Sequence, residues 1–177
     1  MIRAAVVTMV MSAVLFACAG KVLPPPVTDS SYFNAKMEKL ATALITTSSK
    51  KVRRAAVLNF VNTNGRASQL GRYVTTKFYE IVVLKSLFTM PTGGQVAESI
   101  TKLNLDYQGT LNRETAGKLG RELGVEALII GQIADLQKGS DVDLTVQMVE
   151  VRTGNIISAA STSFYRSKQV SSLLEKY

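Results

Sequence analysis

The chain has 177 residues, with 21 Lys and Arg against 13 Asp and Glu, a formal charge of +8, no His, no Trp and a single Cys. That length suits one compact domain, and the composition excludes a His/Cys metal cluster, a Ser-His-Asp triad and an internal disulfide. A mean hydropathy of +0.15 is high for a soluble domain, so a strongly apolar segment must stand apart from it.

Residues 1–17 supply that segment: Arg3 is followed by an apolar run broken only by Thr8 and Ser12. It is shorter than the ~20 residues that span a bilayer and ends in small residues, as a secretory signal peptide does. The only cysteine follows directly, in Leu15-Phe16-Ala17-Cys18. This resembles a bacterial lipobox, in which a peptidase cuts before a cysteine that is then acylated on its sulfur and its new amino group. Phe16 is bulkier than such boxes prefer. The alternative is an ordinary thiol at the cleavage site of a plain secreted protein, but a lone cysteine fits an oxidising compartment in which it is acylated. Ala19 stands where an aspartate would retain the protein at the inner membrane, so the resemblance implies lipid anchoring at the outer membrane through Cys18. Several acyl chains bind durably, and the mature protein is expected to be anchored rather than spanning.

Cleavage would remove Arg3 alone among the charges and leave +7. Nucleic acid is the default partner for such a charge in a cytoplasmic protein. An exported chain meets anionic lipid and wall polymer instead, so no nucleic acid is expected. Residues 18–30 contain Pro24, Pro25 and Pro26 and read as a semi-rigid membrane-tethering linker. From Cys18 to Ser31 it reaches at most about 45 Å, which keeps the domain of residues 31–177 near its membrane.

Asp29 or Ser30 can cap a helix over 31–47, whose apolar residues Phe33, Met37, Leu40 and Leu44 recur at i, i+4, i+7 and i+11. Residues 52–61 then read as one buried strand, ended by the loop Asn62-Thr63-Asn64-Gly65. From Ser68, helical spacing links Leu70, Val74, Phe78, Ile81 and Val82, although residues 81–84 also suit a strand. A short strand over 87–90 stops at Pro91, and Thr92-Gly93-Gly94 opens a further helical pattern through Val96, Ile100 and Leu103. Asn112 starts a fourth helix with Glu114, Lys118 and Glu122 at i,i+4 spacing, closed by Gly124. Gly117, Gly120 and Gly124 form a smooth stripe on it. Each glycine costs up to about 1 kcal/mol against alanine, which points to close packing on a sheet rather than a ligand groove.

Residues 127–136 form the strongest strand pattern and should be central. Residues 138–141 turn into the alternating run Val142, Leu144, Val146 and Met148, which slips at Val149 and predicts a β-bulge near Met148. Arg152-Thr153-Gly154-Asn155 makes a tight hairpin into 156–165, and Val170, Leu173, Leu174 and Tyr177 mark a short closing helix. The fold class is α/β: a mixed sheet of about five strands with helices packed on it, ending in a β-meander.

Four stretches are familiar together: Arg54-Ala55-Ala56-Val57-Leu58-Asn59-Phe60, Leu70-Gly71-Arg72-Tyr73, the run from Thr115 through Gly120, Gly124 and Gly131, and the run from Val149 through Gly154 to Ile157. They resemble the FlgO-domain family, flagellar assembly lipoproteins of the bacterial outer membrane, over roughly Ala35 to Tyr165. The same strand-helix grammar is shared with curli-secretion lipoproteins of the CsgG type, the amino-terminal domain of TolB and lipoprotein activators of penicillin-binding proteins. The resemblance implies a non-enzymatic protein with no cofactor, supporting the flagellum where it crosses the outer membrane. Its partners would be membrane lipid and other flagellar or envelope proteins, with self-association open. The alternative is an envelope regulatory lipoprotein that acts on a cell-wall synthase or a curli-type secretion assembly. Only Cys18 carries over with a chemical role; Gly71, Gly120, Gly124, Gly131 and Gly154 carry over as structural positions.

Four further groups invite chemistry. Thr92-Gly93-Gly94 could present amides to an anion but lacks the lysine of a phosphate-binding loop, so helix capping explains it better. Lys50, Lys51, Arg53 and Arg54 place four basic side chains before the first strand, as an anion site or, more simply, a solvated loop. Asp135, Asp141 and Asp143 lack calcium-loop spacing and read as turn and edge residues, not a metal site. Tyr73 and Tyr79 read as core rim. No carboxylate pair suited to acid–base work is evident, and the chain is expected not to be an enzyme.

Overall fold

A computed structural model describes residues 30–135 and 141–175. Helix α1 (Ser30–Thr46) buries the apolar stripe Phe33, Met37, Leu40, Ala41 and Leu44. Strands β1 (Ala55–Val57) and β2 (Val61–Asn62) follow, then α2 (Gln69–Leu84), α3 (Gly93–Lys102), α4 (Arg113–Leu123), β3 (Ala127–Ala134), β4 (Asp141–Glu150), β5 (Ile156–Tyr165) and α5 (Lys168–Glu175). The five strands make one mixed sheet in the order β1-β3-β4-β5, with β2 also on β3. β1 and β2 run parallel to β3, while β4 and β5 are antiparallel, so β3 is central as its continuous apolar run predicts.

Two cores flank the sheet. α1, α2 and α5 cover one face, where Phe33, Phe60, Phe78 and Phe164 are fully buried against Ile129, Leu144 and Met148. Phe33 meets Tyr73 edge-on and Phe164 at a tilt, both at ring-centroid distances of 5.1 Å. α3 and α4 cover the other face over β1 and β3, around Leu58, Val96, Leu119 and Leu128.

The expected single strand over 52–61 is instead broken into β1 and β2 by residues 58–60. Leu58 still donates to the Ile129 carbonyl at 2.9 Å, but the Phe60 N–H turns to the Thr75 hydroxyl at 2.8 Å. α2 thus draws Phe60 off the ladder, and its Gly71 touches the Phe60 carbonyl so closely that a Cβ would overlap it. The expected strand over 87–90 shrinks to one bridge, Thr89 to Arg54. Residues 81–84 stay helical, since Ile81 and Val82 are buried on the same stripe as Val74 and Phe78.

The register shift falls between Met148 and Val149, as the slipped alternation predicts. The extra residue, however, lies on β5: Val149 pairs with Ile156 and Met148 with Ser158, leaving Ile157 as the bulge. α5 is the expected closing helix, buried through Val170 and Leu174; Tyr177, the turn over 138–140 and the end of the strand at Leu136 lie outside the described residues.

Candidate interaction surface

Cys18, residues 1–17 and nearly all of the linker lie outside the described residues, which begin at Ser30 with α1. Among the described residues, no helix is long and apolar enough to cross a membrane.

The four basic residues before β1 do not converge on one face. Lys50 pairs with Glu150 at 2.7 Å. That bond, helped by the Thr153 hydroxyl, holds the Glu150 carboxyl below its ordinary range. The Arg53 backbone donates to Glu126 at 2.8 Å, and the Arg54 guanidinium lies beside Gly124, 3.8 Å from where a Cβ would stand. Only Lys50 and Lys51 line a cavity of about 450 Å³, beneath the loop after α1, with Val52, Phe88 and Met148.

Thr92 and Gln95 form a reciprocal capping box: the Thr92 hydroxyl accepts the Gln95 N–H and the Gln95 side chain accepts the Thr92 N–H. The Thr-Gly-Gly run is therefore a helix start, as its chemistry suggests. Asp135 pairs with Arg166 at 2.7 Å across the ends of β3 and β5, while Asp141 and Asp143 point outward from β4. Tyr73 and Tyr79 are half-buried; Tyr73 packs edge-on against Phe33 and the Tyr79 hydroxyl donates to the Pro91 carbonyl at 3.4 Å.

The glycine stripe divides by role. Gly120 packs against Val151, Gly124 sits at φ +64 as the left-handed helix cap, and Gly117 has room for a Cβ. A second cavity of about 200 Å³ lies between α2 and α3, lined mainly by Val57, Val96, Ile100 and the Tyr107 ring, with Asn59, Thr76 and Tyr79 as its polar side chains.

A third feature was not singled out in the sequence. The face of β4 and β5 away from α1 carries Asp141, Asp143, Thr145 and Gln147 beside Ala159, Ser161, Ser163 and Tyr165, all exposed or half-exposed. α3 and α4 stop over β1 and β3 and leave it bare. The strict alternation of β4 carried the signal, because antiparallel strands with one polar face commonly meet water or a partner there.

The fold resembles that of LpoB. The LpoB C-terminal domain from Escherichia coli superposes with a TM-score of 0.60 at 18% identity, covering 76% of this chain and 98% of that one. The Salmonella enterica domain gives 0.58 at 18% identity over the same shares. The NMR structure of Escherichia coli LpoB gives 0.61 at 17% identity, covering 94% of this chain and 84% of the other. At such identity the likeness establishes the α/β fold alone. It shows the fold without pointing to the FlgO-domain family in particular. No protein-family model matches the chain, and no curated protein sequence matches it significantly.

Proposed function

We propose that this is a non-catalytic, lipid-anchored envelope protein that binds a cell-wall synthase from the periplasmic face of the outer membrane and regulates it. The observation that carries the reading is the fold likeness to LpoB over most of both chains. LpoB belongs with the synthase-directed alternative rather than with the flagellum. The anchor is Cys18, the tether is the proline linker, and the contact surface lies on the folded domain; self-association stays open.

The flagellar reading has the motif residues behind it, and the structure gives those residues packing roles. Gly71 lies on the Phe60 carbonyl, Gly131 on the Phe60 ring, Gly120 on Val151 and Gly154 on Arg113. In this chain they serve the packing, so they speak to fold before partner. The test is reconstitution: full-length acylated protein in detergent is added to a penicillin-binding-protein synthase polymerising lipid-linked precursor. A several-fold rise in glycan synthesis or cross-linking supports the proposal. Unchanged rates and no co-sedimentation would remove it.

A further inference from the structure

We propose that the outer edge of β5 between Ala159 and Ser163 accepts an extended acidic peptide as an added strand. In an antiparallel ladder alternate residues turn their N–H and C=O groups toward the neighbouring strand. Two contacts beyond the strand assign the outward set to the odd-numbered residues, so that Ser158, Ala160, Thr162 and Phe164 bond to β4. The Ile157 carbonyl accepts the Ser49 N–H at 2.9 Å, and the Tyr165 N–H donates to the Tyr32 hydroxyl at 3.0 Å.

Those contacts, with the Thr47 hydroxyl that donates to the Ala159 carbonyl at 3.5 Å, close both ends of the edge and leave the Ala159 N–H and the backbone of Ser161 and Ser163 open between them. Among the described residues, nothing donates to or accepts from the backbone of Ser161 or Ser163 on the outer side. An open edge of this kind is a template for another chain, and proteins usually blunt it with lysine, proline or an inward charge. The segment Ile156–Tyr165, IISAASTSFY, has none of these; its only irregularity is the bulge at Ile157, at one end. The small side chains of Ala159, Ser161 and Ser163 leave room for larger ones on a strand laid beside them.

The frame around the gap selects its occupant. A second copy of β5 paired about Ser161 would carry its own Tyr165 into the place held by Ser49, because residue 157 of one copy faces residue 165 of the other. The linker of this chain is also a poor strand, since Pro24, Pro25 and Pro26 offer no N–H donors. A short peptide that enters and leaves within about five residues meets neither obstacle, in the manner of strand addition to a sheet edge. Its charge follows from the surroundings: the Lys36 ammonium lies 5.7 Å over the Tyr32 ring at one end of the gap, and the chain without residues 1–17 carries +7. The nearest acids, Asp141 and Asp143, lie on β4, about 10 Å from an added strand by two strand spacings and so largely screened at physiological salt.

The test uses the full-length acylated chain in detergent micelles and a seven-residue peptide of alternating valine and glutamate. Amide resonances of Ala159, Ser161 and Ser163 should shift saturably and gain exchange protection, while those of Ala160 and Thr162 move less. The same peptide with lysine for glutamate should bind roughly tenfold more weakly, and a version N-methylated at alternate amides should not bind. Ser161→Pro removes one outward N–H without touching the β4 ladder and should abolish binding while the rest of the amide spectrum is kept. If that variant misfolds, the N-methylated peptide decides alone. Binding elsewhere, equal binding of the lysine or methylated peptide, or edge amides already protected in the free protein would overturn the proposal. The outcome does not depend on the synthase reading, since the assay contains no synthase.

Discussion

Gly120 of α4 lies directly against the side chain of Val151, so that a Cβ at position 120 would overlap three of that valine's carbon atoms. At that point the helix is seated on the turn between β4 and β5, while Ala116 and Leu119 of the same helix pack over β1 and β3. Overpacking of this kind costs about 1–3 kcal/mol. Gly120→Leu should therefore lower the urea midpoint of the domain at unchanged slope, and Val151→Ala should recover part of the loss in the double variant. Gly117→Ala, where there is room for the methyl, should be neutral or stabilising. A Gly120→Leu protein with native stability would place that helix face in solvent.

Thr75 holds the break between β1 and β2. Its buried hydroxyl accepts the Phe60 N–H at 2.8 Å and donates to the Gly71 carbonyl at 2.7 Å. Thr75→Val keeps the shape and strands the Phe60 donor, a loss of about 1–3 kcal/mol for a buried unpaired group. Thr75→Ser should restore most of it. Thermal unfolding of the three proteins gives the answer, and equal melting temperatures would mean that Phe60 finds another acceptor.

Tyr107 makes stability depend on alkali. Its buried hydroxyl has no hydrogen-bond partner among the described residues, and burial pushes its pKa well above the ordinary 10.0, an effect that the nearby Gly131 backbone only partly offsets. The folded state thus favours the neutral phenol. Its contribution is fully present below the unfolded pKa and is lost as pH rises past it toward the folded value. Tyr107→Phe should be neutral or slightly stabilising at pH ~7, because the removed oxygen was unpaired. It should also flatten the fall in urea midpoint between about pH 9.5 and 11.5. An unchanged alkaline fall would assign it to other groups.

The elements that sequence reveals best are those whose pattern is set by one neighbouring surface. α1, α4 and the β4–β5 meander have stripes that match their burial, and Asn112 and Gly124 cap α4 as their chemistry requires. Residues 52–61 mislead because the ladder is interrupted from outside, by Thr75 and Gly71 on a helix that packs across it. The basic run Lys50–Arg54 looks like one patch in sequence and disperses in space, since Lys50 is drawn to Glu150 and Arg54 lies at Gly124. The open β5 edge hides in a sequence of small polar residues that look unremarkable until the register shows which backbone groups have no neighbour.

The anchor is tested by Cys18→Ser. The variant should move from the membrane fraction to the soluble fraction and lose labelling by a radioactive fatty acid, and it should fail to complement because the linker no longer holds the domain at the membrane. Unchanged fractionation would leave the cysteine without this role.

The central claim is that the protein acts on cell-wall synthesis, and the most direct measurement is the fraction of cross-linked muropeptides in a strain lacking the gene, taken together with its swimming radius. The account predicts reduced cross-linking and greater sensitivity to wall-targeting antibiotics with normal swimming, restored by the intact gene and not by its Cys18→Ser form. Normal cross-linking with impaired swimming would contradict it and move the assignment to the flagellum.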